Sequence, residues 1–162
     1  MENSVPINNF TRRSVFKGAV ALFCSSALPA KAQDAPQLHV LKDPSCGCCG
    51  SWIKIMQSEG FDLSVQNTSN EALFQYKLRN GVSEDLASCH TGLVDGYVIE
   101  GHVPPADVRR LLAERPDAVG LSVPGMVVGS PGMGPESERD AYDVILIRKD
   151  GSTEVFSRYE EG

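Results

Sequence analysis

Three thiols in four residues, Cys46-Gly47-Cys48-Cys49, are the densest chemical feature of this sequence, and Cys89-His90 sets a fourth thiol beside an imidazole. Cys46 and Cys49 have the Cys-x-x-Cys spacing of a redox dithiol, and Cys48 is one thiol too many for that work alone. Four chemistries compete for the set. Structural disulfides are one, although the neighbours Cys48 and Cys49 could bridge each other only with strain and a domain of this length builds its own core without staples. Thiol–disulfide exchange through Cys46 and Cys49 is the second. A structural zinc site is the third, but such sites usually combine two Cys-x-x-Cys halves. The fourth is a soft metal, with Cu(I) leading because thiolate and thioether ligands select it. Four clustered thiols suit several copper ions better than one.

Further donors are thinly spread. Met126 and Met133 follow Pro124-Gly125 and Pro131-Gly132, in loops rather than on an apolar helical stripe, and are candidate thioether ligands. His102, before Val103-Pro104, is a candidate imidazole ligand. His90 ranks below it, because residues next to each other in extended chain point to opposite faces, away from Cys89. His39, inside an apolar run, reads as buried or solvated, Met56 as a filler of the core and Trp52 as a covering face of its helix.

The elements that must position these groups are legible in the local pattern. Leu38–Lys42 reads as a strand, broken by Asp43-Pro44-Ser45. Helical spacing follows from Cys48 to Glu59 and stops at Gly60. Thiols at a helix start meet unpaired N–H groups and the positive end of the dipole, which favour thiolate. Phe61, Leu63 and Val65 alternate as a second strand. Ser69 or Asn70 caps a helix through Arg79 with Leu73, Phe74 and Leu78 on its apolar face. Asp95-Gly96 between apolar runs predicts a hairpin. Pro104-Pro105 opens a helix over 106–115, and Pro116 stops it. Residues 117–142 are rich in Gly and Pro and read as one long loop. A last hairpin pairs Val144–Ile147 with Thr153–Phe156 across Asp150-Gly151.

Residues 1–32 read as an address. A basic start containing Arg12-Arg13 and Lys17, an apolar run from Gly18 to Leu28 and an Ala30-Lys31-Ala32 end have the form of a secretory signal peptide. The arginine pair resembles the bacterial twin-arginine export signal. Eleven apolar residues are too few to span a bilayer, which takes roughly 20 in a helix. Removal of this segment takes away Cys24 and leaves 33–162 as one domain. The remaining 11 basic and 20 acidic residues give a charge of −9, against −6 for the whole chain. Such acidity argues against nucleic acid and anionic membrane as partners.

The order strand, helix, strand, helix, hairpin, helix, with cysteines in the first strand–helix turn, resembles an α/β thioredoxin-like fold, here with an appended Gly/Pro/Met loop and a C-terminal β-hairpin. That resemblance implies that Cys89 faces the Cys46–Cys49 turn. Where thioredoxin-like proteins carry a Thr-Pro pair before the hairpin, this chain has Cys89-His90 instead. The Cys-Gly-Cys-Cys turn, Cys89-His90, Glu100-Gly101-His102-Val103-Pro104 and the Pro-Gly-Met elements together resemble the CopG-like periplasmic copper proteins, over essentially the whole chain from Leu38 to about Phe156. The resemblance implies a multinuclear copper–sulfur centre on Cys46, Cys48, Cys49 and Cys89, a role in copper resistance and interconversion of Cu(I) and Cu(II). It also makes copper ions the expected cargo and other periplasmic copper-resistance proteins the expected partners. Two alternatives stay open: a thiol–disulfide oxidoreductase working through Cys46 and Cys49, and a passive copper carrier.

Overall fold

The computed structural model describes Met1 and residues 35–162, and Gln33–Gly162 form one unit. The segment read as an export signal, Cys24 included, lies outside the described residues apart from Met1. Among the described residues, seven strands and three α-helices follow in the order β1 (Gln37–Lys42), α1 (Gly47–Ser58), β2 (Asp62–Asn67), α2 (Asn70–Arg79), β3 (His90–Val94), β4 (Tyr97–Glu100), α3 (Pro105–Glu114), β5 (Ala118–Ser122), β6 (Tyr142–Arg148) and β7 (Thr153–Tyr159). They build a single mixed sheet in the order β2-β1-β3-β4-β5-β6-β7. β1 pairs parallel with β2, and β4 with β5, while the other neighbours run antiparallel. Among the described residues, no helix is long and apolar enough to cross a membrane.

Local chemistry sets the boundaries. The Cys46 sulfur accepts the Cys49 N–H at 3.3 Å and so caps α1. The Ser69 hydroxyl accepts the Ala72 N–H and caps α2. Pro105 occupies the first turn of α3, where its missing N–H costs nothing. Asp95 and Gly96 both take positive φ, 48° and 85°, and close the β3–β4 hairpin as their types predict.

The main core lies between one sheet face and two helices. Leu38, Val40, Ile99, Leu121 and Leu146 from the strands meet Trp52 and Met56 of α1 and Val108 and Leu111 of α3. Residues that alternate with these in the strands, Val98 and Ile147 among them, join Val82 and Leu86 on the opposite face.

Three expectations need correction. The segment 117–142 is not one loop, because Ala118–Ser122 is a strand in the interior of the sheet. Gly120 hides it: a glycine weakens a strand pattern, yet a Cβ there would run into the Val98 carbonyl of the neighbouring strand. The C-terminal hairpin is therefore not an appendage but continues the same sheet through β5. On α2, Leu78 is exposed while Leu73 and Lys77 face inward, so the lysine holds a place that periodicity assigns to an apolar residue.

Candidate metal centre

β1 runs straight into the turn that carries Cys46, and Cys48 and Cys49 follow in the first turn of α1. Cys89 comes from the segment entering β3, the antiparallel neighbour of β1. The four sulfurs all lie within 4.8 Å of one another, with Cys49 buried and the other three half-buried. Cys46 and Cys49 are joined as a disulfide, with Cα atoms 5.5 Å apart. Cys48 and Cys89 are free, and the Cys48 sulfur sits 3.5 Å from that of Cys46.

A second cluster shares Cys89. Its sulfur lies 3.1 Å from His102 Nε2 and 3.3 Å from His90 Nδ1. His102 Nδ1 lies 2.8 Å from the Pro131 carbonyl, which can only accept. The proton is therefore on Nδ1, and the Nε2 lone pair points at Cys89. A metal-binding imidazole is held in this way, its second nitrogen donating to a carbonyl.

His90 is fully buried, its ring 4.5 Å from the Trp52 ring and edge-on to His102. Its Nε2 has no hydrogen-bond partner among the described residues. Whichever tautomer it takes, Nε2 stays unsatisfied, which costs about 1–3 kcal/mol in a protein interior. It is Nδ1 of this ring, not Nε2, that faces the Cys89 sulfur.

Electrostatics supports ligand chemistry at the imidazoles. Burial holds both below the usual histidine range, and His102, Lys77 and Lys42 depress His90 further. Both rings are neutral at pH 7, the form that binds metals. The Cys89 thiol is pushed up to about 12, first by burial and then by the nearby Cys48. Copper binding at this sulfur must therefore displace a proton.

The methionine loops border the cluster. Gly125, one residue before Met126, accepts the Ser88 hydroxyl and donates its N–H to Ala87, next to the Cys89 segment. The Met126 side chain itself is 55 % exposed. Met133 follows Gly132, where a Cβ would lie 2.7 Å from Trp52 N and 3.2 Å from Cys48 O, so this loop lies directly on α1. His39 stands apart, paired with Ser64 between β1 and β2.

Among the sequence candidates, then, the fold brings Cys46, Cys48, Cys49, Cys89 and His102 together and sets the Met126 and Met133 loops alongside. Sequence reasoning underrated His90. The alternation argument fails because Cys89 lies in a bend before β3 begins, so the strand pleat does not govern it. The available signal was the adjacency of a histidine to a cysteine just outside a strand.

No curated protein matches this chain. Residues 86–133 match a family model described as a protein of unknown function, DUF411. Two solved structures, both titled copper resistance protein CopG, are similar to it. Form 1 is 41 % identical with a TM-score of 0.72, covering 79 % of this chain and 99 % of that one. Form 2 is 42 % identical with a TM-score of 0.71, covering 77 % and 98 %. With such identity over nearly the whole length of its relatives, and with the Cys-x-Cys-Cys turn in place, this chain belongs to the CopG family of copper resistance proteins.

Proposed function

We propose that this protein is exported to the periplasm by the twin-arginine route and there binds more than one Cu(I) ion, as part of copper resistance. Cys46, Cys48, Cys49 and Cys89 supply the thiolates, His102 an imidazole, and Met126 and Met133 the flanking thioethers. The scaffold is read as thioredoxin-like, supported by the run β1-α1-β2-α2-β3-β4-α3 and the strand order β2-β1-β3-β4. The observation that carries the reading is the convergence of four sulfurs within 4.8 Å, one of them facing an oriented imidazole nitrogen at 3.1 Å.

The disulfide adds an electron balance. Opening Cys46–Cys49 to two thiols takes up two electrons and two protons and completes a four-sulfur set. Closing it releases two electrons, enough to convert two Cu(II) ions to Cu(I), so binding and redox conversion of copper can share these residues. The same disulfide favours the rival reading, thiol–disulfide exchange with a protein partner. In that case Cys46→Ser and Cys49→Ser abolish disulfide reduction while Cys48→Ser and Cys89→Ser do not. A passive carrier would pass copper on stoichiometrically without turnover.

An anaerobic Cu(I) titration of the reduced protein against a chromogenic chelator separates copper binding from pure thiol exchange, and redox cycling of the loaded protein separates turnover from passive carriage. More than one tightly held copper per chain is expected, falling in Cys48→Ser. Metal analysis of the anaerobically purified protein that finds a single zinc ion, or no metal and two disulfides, overturns the copper proposal.

A further inference from the structure

A buried ion pair stands beside the cluster, and copper binding as described leaves it without a role. Lys77 of α2 and Glu100 at the end of β4 are 4 % and 0 % exposed, with Lys77 Nζ 2.5 Å from Glu100 Oε1. Removing two charges from water costs more than their attraction returns unless the remaining lone pairs and protons find partners. Here Glu100 Oε1 also accepts the Ser88 N–H at 2.6 Å, and Oε2 accepts the Thr91 hydroxyl at 2.7 Å. Lys77 donates a second hydrogen bond to Thr91, at 2.9 Å.

The bond from Ser88 is the informative one. Lys77, Thr91 and Glu100 would tie α2 to the sheet without it. Ser88 lies outside the named strands, in the segment between the turn at Glu84–Leu86 and β3, and Cys89 is the next residue. His102 follows Glu100 by two positions. Gly101 between them, at φ 71°, would press a Cβ onto the Ser88 side chain and the Val123 carbonyl, so the two segments lie in contact. One carboxylate therefore holds the backbone that presents Cys89 and ends the strand that leads to His102.

We propose that Glu100 is a positioning residue of the copper site: its carboxylate pins the Ser88–Cys89 backbone so that the Cys89 sulfur faces His102 Nε2, with Lys77 as its buried counter-charge. This rests on Cys89 as a copper ligand and states how the protein places that sulfur.

Two double variants of the full chain separate placement from plain stability. Lys77→Met with Glu100→Leu replaces the pair by apolar groups of similar size, which folded proteins tolerate well, but leaves the Ser88 N–H and the Thr91 hydroxyl without partners. Lys77→Met with Glu100→Gln removes the charges and keeps a carbonyl for that N–H. Both are compared with the parent for thermal melting, for Cu(I) affinity by chelator competition, and for iodoacetamide labelling of Cys89 in the copper-free protein. The leucine variant is expected to melt several degrees below the parent, because the Ser88 N–H and the buried Thr91 hydroxyl lose their partners. Measured well below that melting point, it should bind Cu(I) about 10–100-fold more weakly, as when a ligand's supporting contact is lost, and label at least tenfold faster at Cys89. The glutamine variant should stay within about threefold of the parent on both readouts. Equal behaviour of the two variants overturns the proposal, whether both match the parent or both fail.

If the leucine variant does not fold, amide exchange at Ser88 in the parent decides. Protection like that of the β3 amides supports the pin, and exchange at the rate of an open loop overturns it. A parent that binds no copper sinks the copper reading, while the labelling comparison still judges the placement.

Discussion

Cys89 is the hinge of the site, because its sulfur belongs both to the thiol cluster and to the cluster with His90 and His102. Its burial next to Cys48 raises the thiol to about 12, so at pH 8 the reactive thiolate is a very small minority. Iodoacetamide labelling of the copper-free, disulfide-closed protein at pH 8 should therefore be more than a hundredfold slower at Cys89 than in an unstructured cysteine peptide. The rate should climb roughly tenfold per pH unit, as expected below the pKa. Peptide mapping by mass spectrometry reads it, and labelling at the peptide's rate would show that the sulfur is neither buried nor crowded. His102 sets the complementary condition: with its Nδ1 proton committed to Pro131, its other nitrogen has only a lone pair to offer.

At the scale of elements, the β1–α1 turn was readable because its signals are local: a strand, a breaking proline, a cap and a helical period follow one another within a few residues. α2 and β5 show where local signals mislead. Lys77 turns inward because Glu100, 23 positions away, waits for it, and no helical period encodes that partner. β5 escapes a propensity reading because Gly120 answers to a neighbouring backbone rather than to its own strand. The Gly132 loop is the element whose failure should be visible at the metal site. Gly132 takes φ 86° with no room for a Cβ over α1. Gly132→Ala is expected to cost about 1–3 kcal/mol in urea denaturation through this left-handed geometry and the contact with Trp52 N. It should also weaken Cu(I) binding, because Pro131 orients His102. A variant with parental stability and parental affinity would show that the loop is not pressed onto the helix.

At the scale of the whole chain, the proposed address and the proposed site depend on each other. A persistent disulfide such as Cys46–Cys49 is kept in an oxidising compartment, and the twin-arginine route carries proteins already folded. Replacing Arg12 and Arg13 together by lysine is expected to leave the full-length protein in the cytoplasm, read by cell fractionation and by the size of the chain. Normal export of this variant would reject the route.

Read by itself, the sequence determined the donor inventory, the acidic charge, the helix start that holds three thiols and the two hairpins, because composition, caps and turns act over a few residues. The tertiary structure alone decided which donors meet. Cys49 and Cys89 are 40 positions apart, and Pro131 is 29 beyond His102. Strand pairing between β1 and β3, a bend that frees Cys89 from the strand pleat, and a buried carboxylate on the Ser88 N–H bring these groups together. Such contacts arise from the closing of one sheet, and no local period in a chain encodes them.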